Sequence, residues 1–170
     1  MEYLINDSND ILVDNLTDDL KALIHNIIEF MDGSSLDDTF VAKVLLRLGS
    51  FGYVFSQNSN DDLLISFAIK KVESHIKSLT NCAEIDNNLI PLAIDRVCGE
   101  VLFCKMKSNQ LSELPFDFDS AVKSLQLGDT NVTYAIGEGT TTDEQKATAL
   151  ISYLMNEGES DLLCYRKVSW

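Results

Sequence analysis

The sequence predicts a mainly α protein: a small helical bundle of about five helices with one β-hairpin and an extended C-terminal tail. Three observations carry this. Apolar residues recur at three- and four-residue spacing in five separate stretches, and only 2 prolines interrupt 170 residues. The period falls towards two in one region alone, on either side of Gly128-Asp129-Thr130. The length suits one domain of ~100–200 residues with a single core.

Residues 1–16 show no steady period and are crowded with Asn, Asp and Ser, so they read as a loosely held arm. From Thr17 the row Leu20, Leu23, Ile24, Ile27, Ile28 and Met31 marks a first helix, with acids in its first turn and Gly33 just past its end. Ser35 and Asp38 resemble a capping box ahead of Phe40, Val41, Val44, Leu45 and Leu48, a second helix closed by Gly49. Phe51 to Phe55 is a short aromatic turn, and Ser59 to Asp62 opens a third helix running to Thr80. Its expected core face is Leu64, Phe67, Ala68, Val72, His75, Ile76 and Leu79. Pro91 suits the first turn of a fourth helix ending near Lys107, apolar over so much of its circumference that it should be central. Ala121–Leu127 and Asn131–Ile136 read as the two strands of the hairpin. Thr142 and Gln145 then box a fifth helix over Asp143–Met155, and Ser160–Trp170 reads as extended.

Net charge bounds the function. The chain carries 27 acidic and 13 basic residues, a formal charge of −14, and residues 1–62 hold −9 of it. Such a chain is poorly suited to wrapping nucleic acid, because duplex binding draws on Lys and Arg displacing counterions from phosphates. No run approaches the ~18–20 apolar residues of a membrane span and the acidic start is unlike a signal peptide, so an intracellular protein without membrane association is expected. Cys82, Cys98, Cys104 and Cys164 form no C-x-x-C pattern and read as reduced, mostly packed thiols.

Residues that could carry chemistry have structural explanations. His25 and His75 lack the second ligand at i+3 or i+4 that a metal site needs, Glu29 beside His25 notwithstanding. Gly137-Glu138-Gly139 has Thr142 where a dinucleotide fingerprint needs its third glycine. The acid pairs Asp37/Asp38 and Asp61/Asp62 sit at helix starts, where the macrodipole favours them, and Asp117/Asp119 has no partner pointing to catalysis. No enzyme activity, metal or cofactor is expected. The C-terminal stretch differs, since Leu162, Leu163, Cys164, Tyr165, Arg166, Lys167, Val168 and Trp170 place apolar, aromatic and cationic side chains at an end that frays unless held. It reads as a docking tail; the competing reading is an edge strand on the protein's own sheet.

Several stretches resemble the head-tail connector (adaptor) proteins of tailed bacteriophages and prophages of Gram-positive bacteria. They are Arg47-Leu48-Gly49-Ser50-Phe51-Gly52-Tyr53, Val72-Glu73-Ser74-His75-Ile76-Lys77, Ile94-Asp95-Arg96-Val97-Cys98-Gly99-Glu100, Ala121-Val122-Lys123-Ser124-Leu125, Leu127-Gly128-Asp129-Thr130-Asn131-Val132-Thr133 and Tyr165-Arg166-Lys167-Val168-Ser169-Trp170. The likeness covers residues 45–170. It implies a non-enzymatic virion protein, assembled in the bacterial cytoplasm, that forms a dodecameric ring beneath the portal at the head-tail interface. The ring extends a channel that DNA crosses without specific binding, and it receives the next neck or tail-completion protein. Carried over, the tail residues become portal anchors, and Val122, Lys123, Asp129, Thr130, Asn131 and Tyr134 of the hairpin become subunit or lumen contacts. The division that follows is an acidic helical extension over 1–58, which departs from the family pattern, a connector-like bundle with hairpin over 59–159, and the docking tail over 160–170. The alternative class is a small acidic regulatory binding module, a DNA-mimic-like inhibitor whose acids cluster on one face.

Overall fold

The computed structural model describes residues 12–55, 60–108 and 143–167. The described helices are α1 (Asp18–Phe30), α2 (Asp38–Ser50), α3 (Asp61–Thr80), α4 (Ile90–Lys107), α5 (Asp143–Asn156) and α6 (Glu159–Cys164), with a 3-10 turn at Asn87–Leu89 before α4. The fold is mainly α, and there is no strand among the described residues. The expected hairpin, with Val122, Lys123, Asp129, Thr130, Asn131 and Tyr134, lies outside them.

The helix ends follow from local chemistry. Asp37, one residue before the acid of the expected capping box, is the N-cap of α2: its Oδ1 accepts from the Phe40 amide at 2.9 Å. Ser35 is turned away to another partner, described below. Asp18 and Asp19 at the start of α1 and Lys105 and Lys107 at the end of α4 complement the helix dipoles. The chain leaves α3 through Asn81 in the left-handed region (φ 52°), a conformation Asn tolerates better than most residues.

As its broad apolar face requires, α4 is the central helix, packed against α2, α3 and α5, while α1 covers α2 and α3. Ala93, Val97, Cys98, Val101 and Leu102 of α4 meet Leu45, Leu48, Ile65, Ile69, Leu150 and Leu154 in one core. A fully buried side chain of this size is worth ~1.5–3 kcal/mol. The close approach of α4 to α5 depends on Gly99, where a Cβ would stand 2.8 Å from Met155 Cγ and 3.0 Å from Leu154 Cβ.

Three expectations are corrected. The buried face of α3 is Ile65, Ala68, Ile69, Val72 and Ile76, whereas Phe67 is 68% exposed and His75 faces solvent. Two acids, Asp61 and Glu73, share the buried side with those residues, and a hydropathy pattern treats acids as solvent-facing, so it rotates the helix away from them. The arm is not loose over its last residues, for 12–14 form a helical turn and Leu12, Val13 and Leu16 pack on the core. The segment expected to be extended from Ser160 is helical to Cys164. Gly158, at φ 68°, turns the chain back and Leu162 enters the core at 0% exposure. A helix of six residues is too short for its periodicity to be legible.

Gly99→Val should lower stability by about 1–3 kcal/mol through overpacking between α4 and α5. Urea unfolding checks this: the midpoint should fall with an unchanged slope, and an unchanged midpoint rejects the close-packing account.

Candidate docking site

The sequence directs attention to the C-terminal segment, and the structure divides it. Leu162 is core and therefore not available to a partner while α6 is in place. Leu163 on the opposite side of α6 is 58% exposed, Cys164 and Arg166 are exposed, and Tyr165 is half-buried against the core. Lys167 is exposed in its side chain but fixed in its backbone. Its N–H donates to the Thr80 carbonyl at 2.8 Å, and Asn81 Nδ2 donates to its carbonyl at 3.0 Å. The left-handed turn at Asn81 thus grips residue 167 at the end of α3. Cys82 Sγ approaches the Tyr165 carbonyl at 3.8 Å in the same place. Val168 and Trp170 lie outside the described residues.

Several polar side chains elsewhere in the bundle are committed to structure. Glu73 receives the Ser34 and Ser35 hydroxyls at 2.7 Å each, the Ser35 amide at 2.9 Å and Lys77 Nζ at 2.7 Å. Burial pushes its carboxyl up, but the hydrogen bonds from Lys77, Ser34 and Ser35 outweigh it and bring it down to about 2. This network ties the turn between α1 and α2 to the middle of α3. Asp61, 3% exposed, accepts from Tyr53 Oη at 2.9 Å and pairs with Lys105 Nζ at 2.7 Å, joining the start of α3 to the end of α4. Burial, with the Asp61 charge beside it, raises the Tyr53 phenol far above its ordinary value, so it stays protonated as a donor. Arg47 bonds Asp95 at 2.8 Å and lies 4.6 Å over the Phe51 ring, fastening α2 to α4. Lys71 bonds Glu100.

His25 and His75 are exposed on α1 and α3, and among the described residues no three of His, Cys, Asp and Glu gather as metal ligands. Cys98 is wholly buried and burial, with Asp95 adding to it, raises its thiol; burial and the Glu100 charge raise Cys104. Both therefore lack thiolate character. A cavity of about 260 Å³ opens between the start of α2 and the approach to α4, lined by Ser35, Asp37, Phe40, Lys43, Glu84 and Ile90 among others. Its Ser35 serves Glu73 and its Asp37 caps α2, so both are already engaged. No helix among the described residues is long and apolar enough to cross a membrane.

Sequence reasoning explained Asp61 and Asp62 together as first-turn acids and gave Glu73 no role. Apart from Lys77, four residues on along α3, the partners of Asp61 and Glu73 come from other parts of the chain, at separations of 38 and 39 residues for the serines of Glu73, and no local pattern announces them. Comparison with family models, with curated proteins and with solved structures gives no match.

Glu73→Gln should cost about 2 kcal/mol at pH 7, the loss of a charge-assisted network. The folded carboxyl near 2 lies below its ordinary 4.5, so its contribution is complete above pH 4.5 and is lost as pH falls through 2. Stability curves of the two proteins should converge as pH falls from 4.5 to 2; a constant gap over that range would show that the charge of Glu73 is not what stabilises.

Proposed function

We propose that this chain is a structural adaptor of the phage head-tail connector type. In this reading it forms a homo-oligomeric, dodecameric ring under the portal, extends the DNA channel, passes DNA without holding it and presents a platform to the next neck or tail-completion protein. It acts by assembly and not by catalysis, within the virion at the head-tail interface. The observation that carries the reading is the set of matching stretches from Arg47 to Trp170, ending in Tyr165-Arg166-Lys167-Val168-Ser169-Trp170. The helical architecture is compatible with it, and so is the grip on Lys167, which gives the residues beyond it a fixed point of departure at the end of α3.

The portal-docking residues in this proposal are Leu163, Cys164, Tyr165, Arg166, Lys167, Val168 and Trp170, with Leu162 serving as the pin that seats α6 in the bundle. Val122 to Ile136 supplies subunit or lumen contacts, with a hairpin as the proposed form. Repetition around a ring multiplies a modest docking contact into strong attachment. The acidic surface favours DNA passage, because a lumen wall bearing carboxylates repels phosphate.

A second reading, the acidic regulatory binding module, is favoured by one observation. Asp14, Asp18, Asp19, Glu29, Asp32, Asp37 and Asp38 are all exposed on α1 and its flanks. Such a module would bind a basic partner and lose it with added salt.

Native mass spectrometry of the purified protein mixed with a candidate portal ring decides between these. The expected outcome is a portal-bound ring, weakened about 100-fold or more in R166E/K167E lacking residues 168–170, with an unchanged thermal midpoint. That variant spares Leu162, so lost binding cannot be ascribed to lost fold. A monomer indifferent to the portal would overturn the adaptor reading.

A further inference from the structure

Among the described residues, Arg96 is the one buried charge that the networks above leave out. It is 5% exposed, and its Nε and Nη2 are buried without a hydrogen-bond acceptor among the described residues. A buried guanidinium normally has its donors satisfied by carboxylates or carbonyls. Its position follows from its neighbours on the same face of α4. Four residues earlier, Leu92 backs on the α5–α6 corner so closely that a Cβ on Gly158 would come within 2.2 Å of Leu92 Cδ1. Three residues later, Gly99 touches Leu154 and Met155 near the end of α5. Arg96 therefore lies between these contacts at the corner where α6 begins. The carboxylate whose charge acts on it is that of Glu159, the first residue of α6. Glu159 is exposed and makes no ion pair with Arg96 within 4 Å among the described residues.

The hold on the segment is slight by comparison with the bundle. α6 has six residues and packs on α3, Leu162 is its buried side chain, and beyond it Lys167 is gripped through two backbone hydrogen bonds. Its entry is Gly158 in the left-handed region, a position that swivels without a side-chain clash of its own.

We propose that Glu159–Lys167 is a releasable strap, seated by Leu162 and the Thr80–Asn81 grip and biased towards opening by Arg96, whose guanidinium gains hydrogen-bond partners when the strap swings out about Gly158. The closed strap starts beside a cation it does not satisfy, whereas the open strap admits water or a carboxylate to Nε and Nη2. Opening also uncovers the apolar seat of Leu162. In the adaptor reading this would lengthen the arm available for docking, but the strap rests on Arg96 and its surroundings and stands apart from that reading.

Hydrogen exchange on the isolated full-length protein tests it without any partner. The amides of Leu162 and Lys167 should exchange by a local opening, well before those of Ile69 in α3 and Val97 in α4. Replacing the charge with an apolar side chain of similar length, Arg96→Met, should slow Leu162 and Lys167 about tenfold relative to those core amides, because a buried unpaired charge is removed. Leu162→Ala should speed them while leaving the core amides near their original rates. Arg96→Gln, neutral but polar, provides a second variant should the methionine pack badly. Unchanged or faster strap exchange in both Arg96 variants overturns the proposal. So does loss of the fold in both, since a group that strains the closed state cannot be what holds it together.

Discussion

The bundle depends on covering α4. A helix apolar over most of its circumference is stable in water only when neighbours enclose it, and α2, α3 and α5 do so from different directions. Enclosure sets the requirements for the rest of the molecule. It calls for a residue without a side chain at position 99, where α5 comes nearest. It brings Lys105 in the last turn of α4 to a depth where an ammonium needs an acid, and Asp61 and Tyr53 meet that need. It also buries Arg96, whose Nε and Nη2 have no partner among the described residues. The polar groups that join one helix to another are thus consequences of where an apolar helix had to go.

The sequence makes the helices legible because each is long enough to show its period. α1, α2, α3, α4 and α5 begin and end close to where capping residues, Pro91 and the glycines indicate. The rotation of α3 was not legible, since Asp61 and Glu73 count as surface residues in any hydropathy pattern and become interior ones only when Lys105, Ser34 and Ser35 arrive from elsewhere. α6 escaped notice for another reason: six residues show less than two turns, and Leu162 looks no different from its neighbour Leu163 until the α5–α6 corner turns one inward and the other out. Of the proposed docking residues, this sorting was the information only packing could supply. The hydrogen bonds at Thr80 and Asn81 had no sequence signal beyond an Asn after a helix.

Charge is distributed to match. Exposed acids on α1 and its flanks face water, where ions screen them within ~8 Å at physiological salt. Asp61 and Glu73, taken into the interior, each have a cation and further donors. A surface of one sign discourages close approach of identical copies and of DNA alike. For an assembling protein the two effects act at different stages: repulsion keeps free subunits apart, and a template that supplies local contacts overcomes it.

The two kinds of buried charge identify where the bundle yields first. Glu73 stands in a saturated network, so the α1–α2 turn remains fixed to α3 until protons displace its donors. Arg96 keeps Nε and Nη2 without a partner among the described residues, and the six-residue helix that starts beside it is held by one buried leucine and, beyond it, two backbone hydrogen bonds at residue 167. Freeing the α1–α2 turn breaks four hydrogen bonds to one buried carboxylate at once, whereas opening the C-terminal side unseats one leucine and breaks two backbone hydrogen bonds. Opening at the C-terminal side therefore precedes opening at the N-terminal side near neutral pH. The segment with the proposed docking side chains is the one that the bundle can spare while α1 to α5 keep their packing.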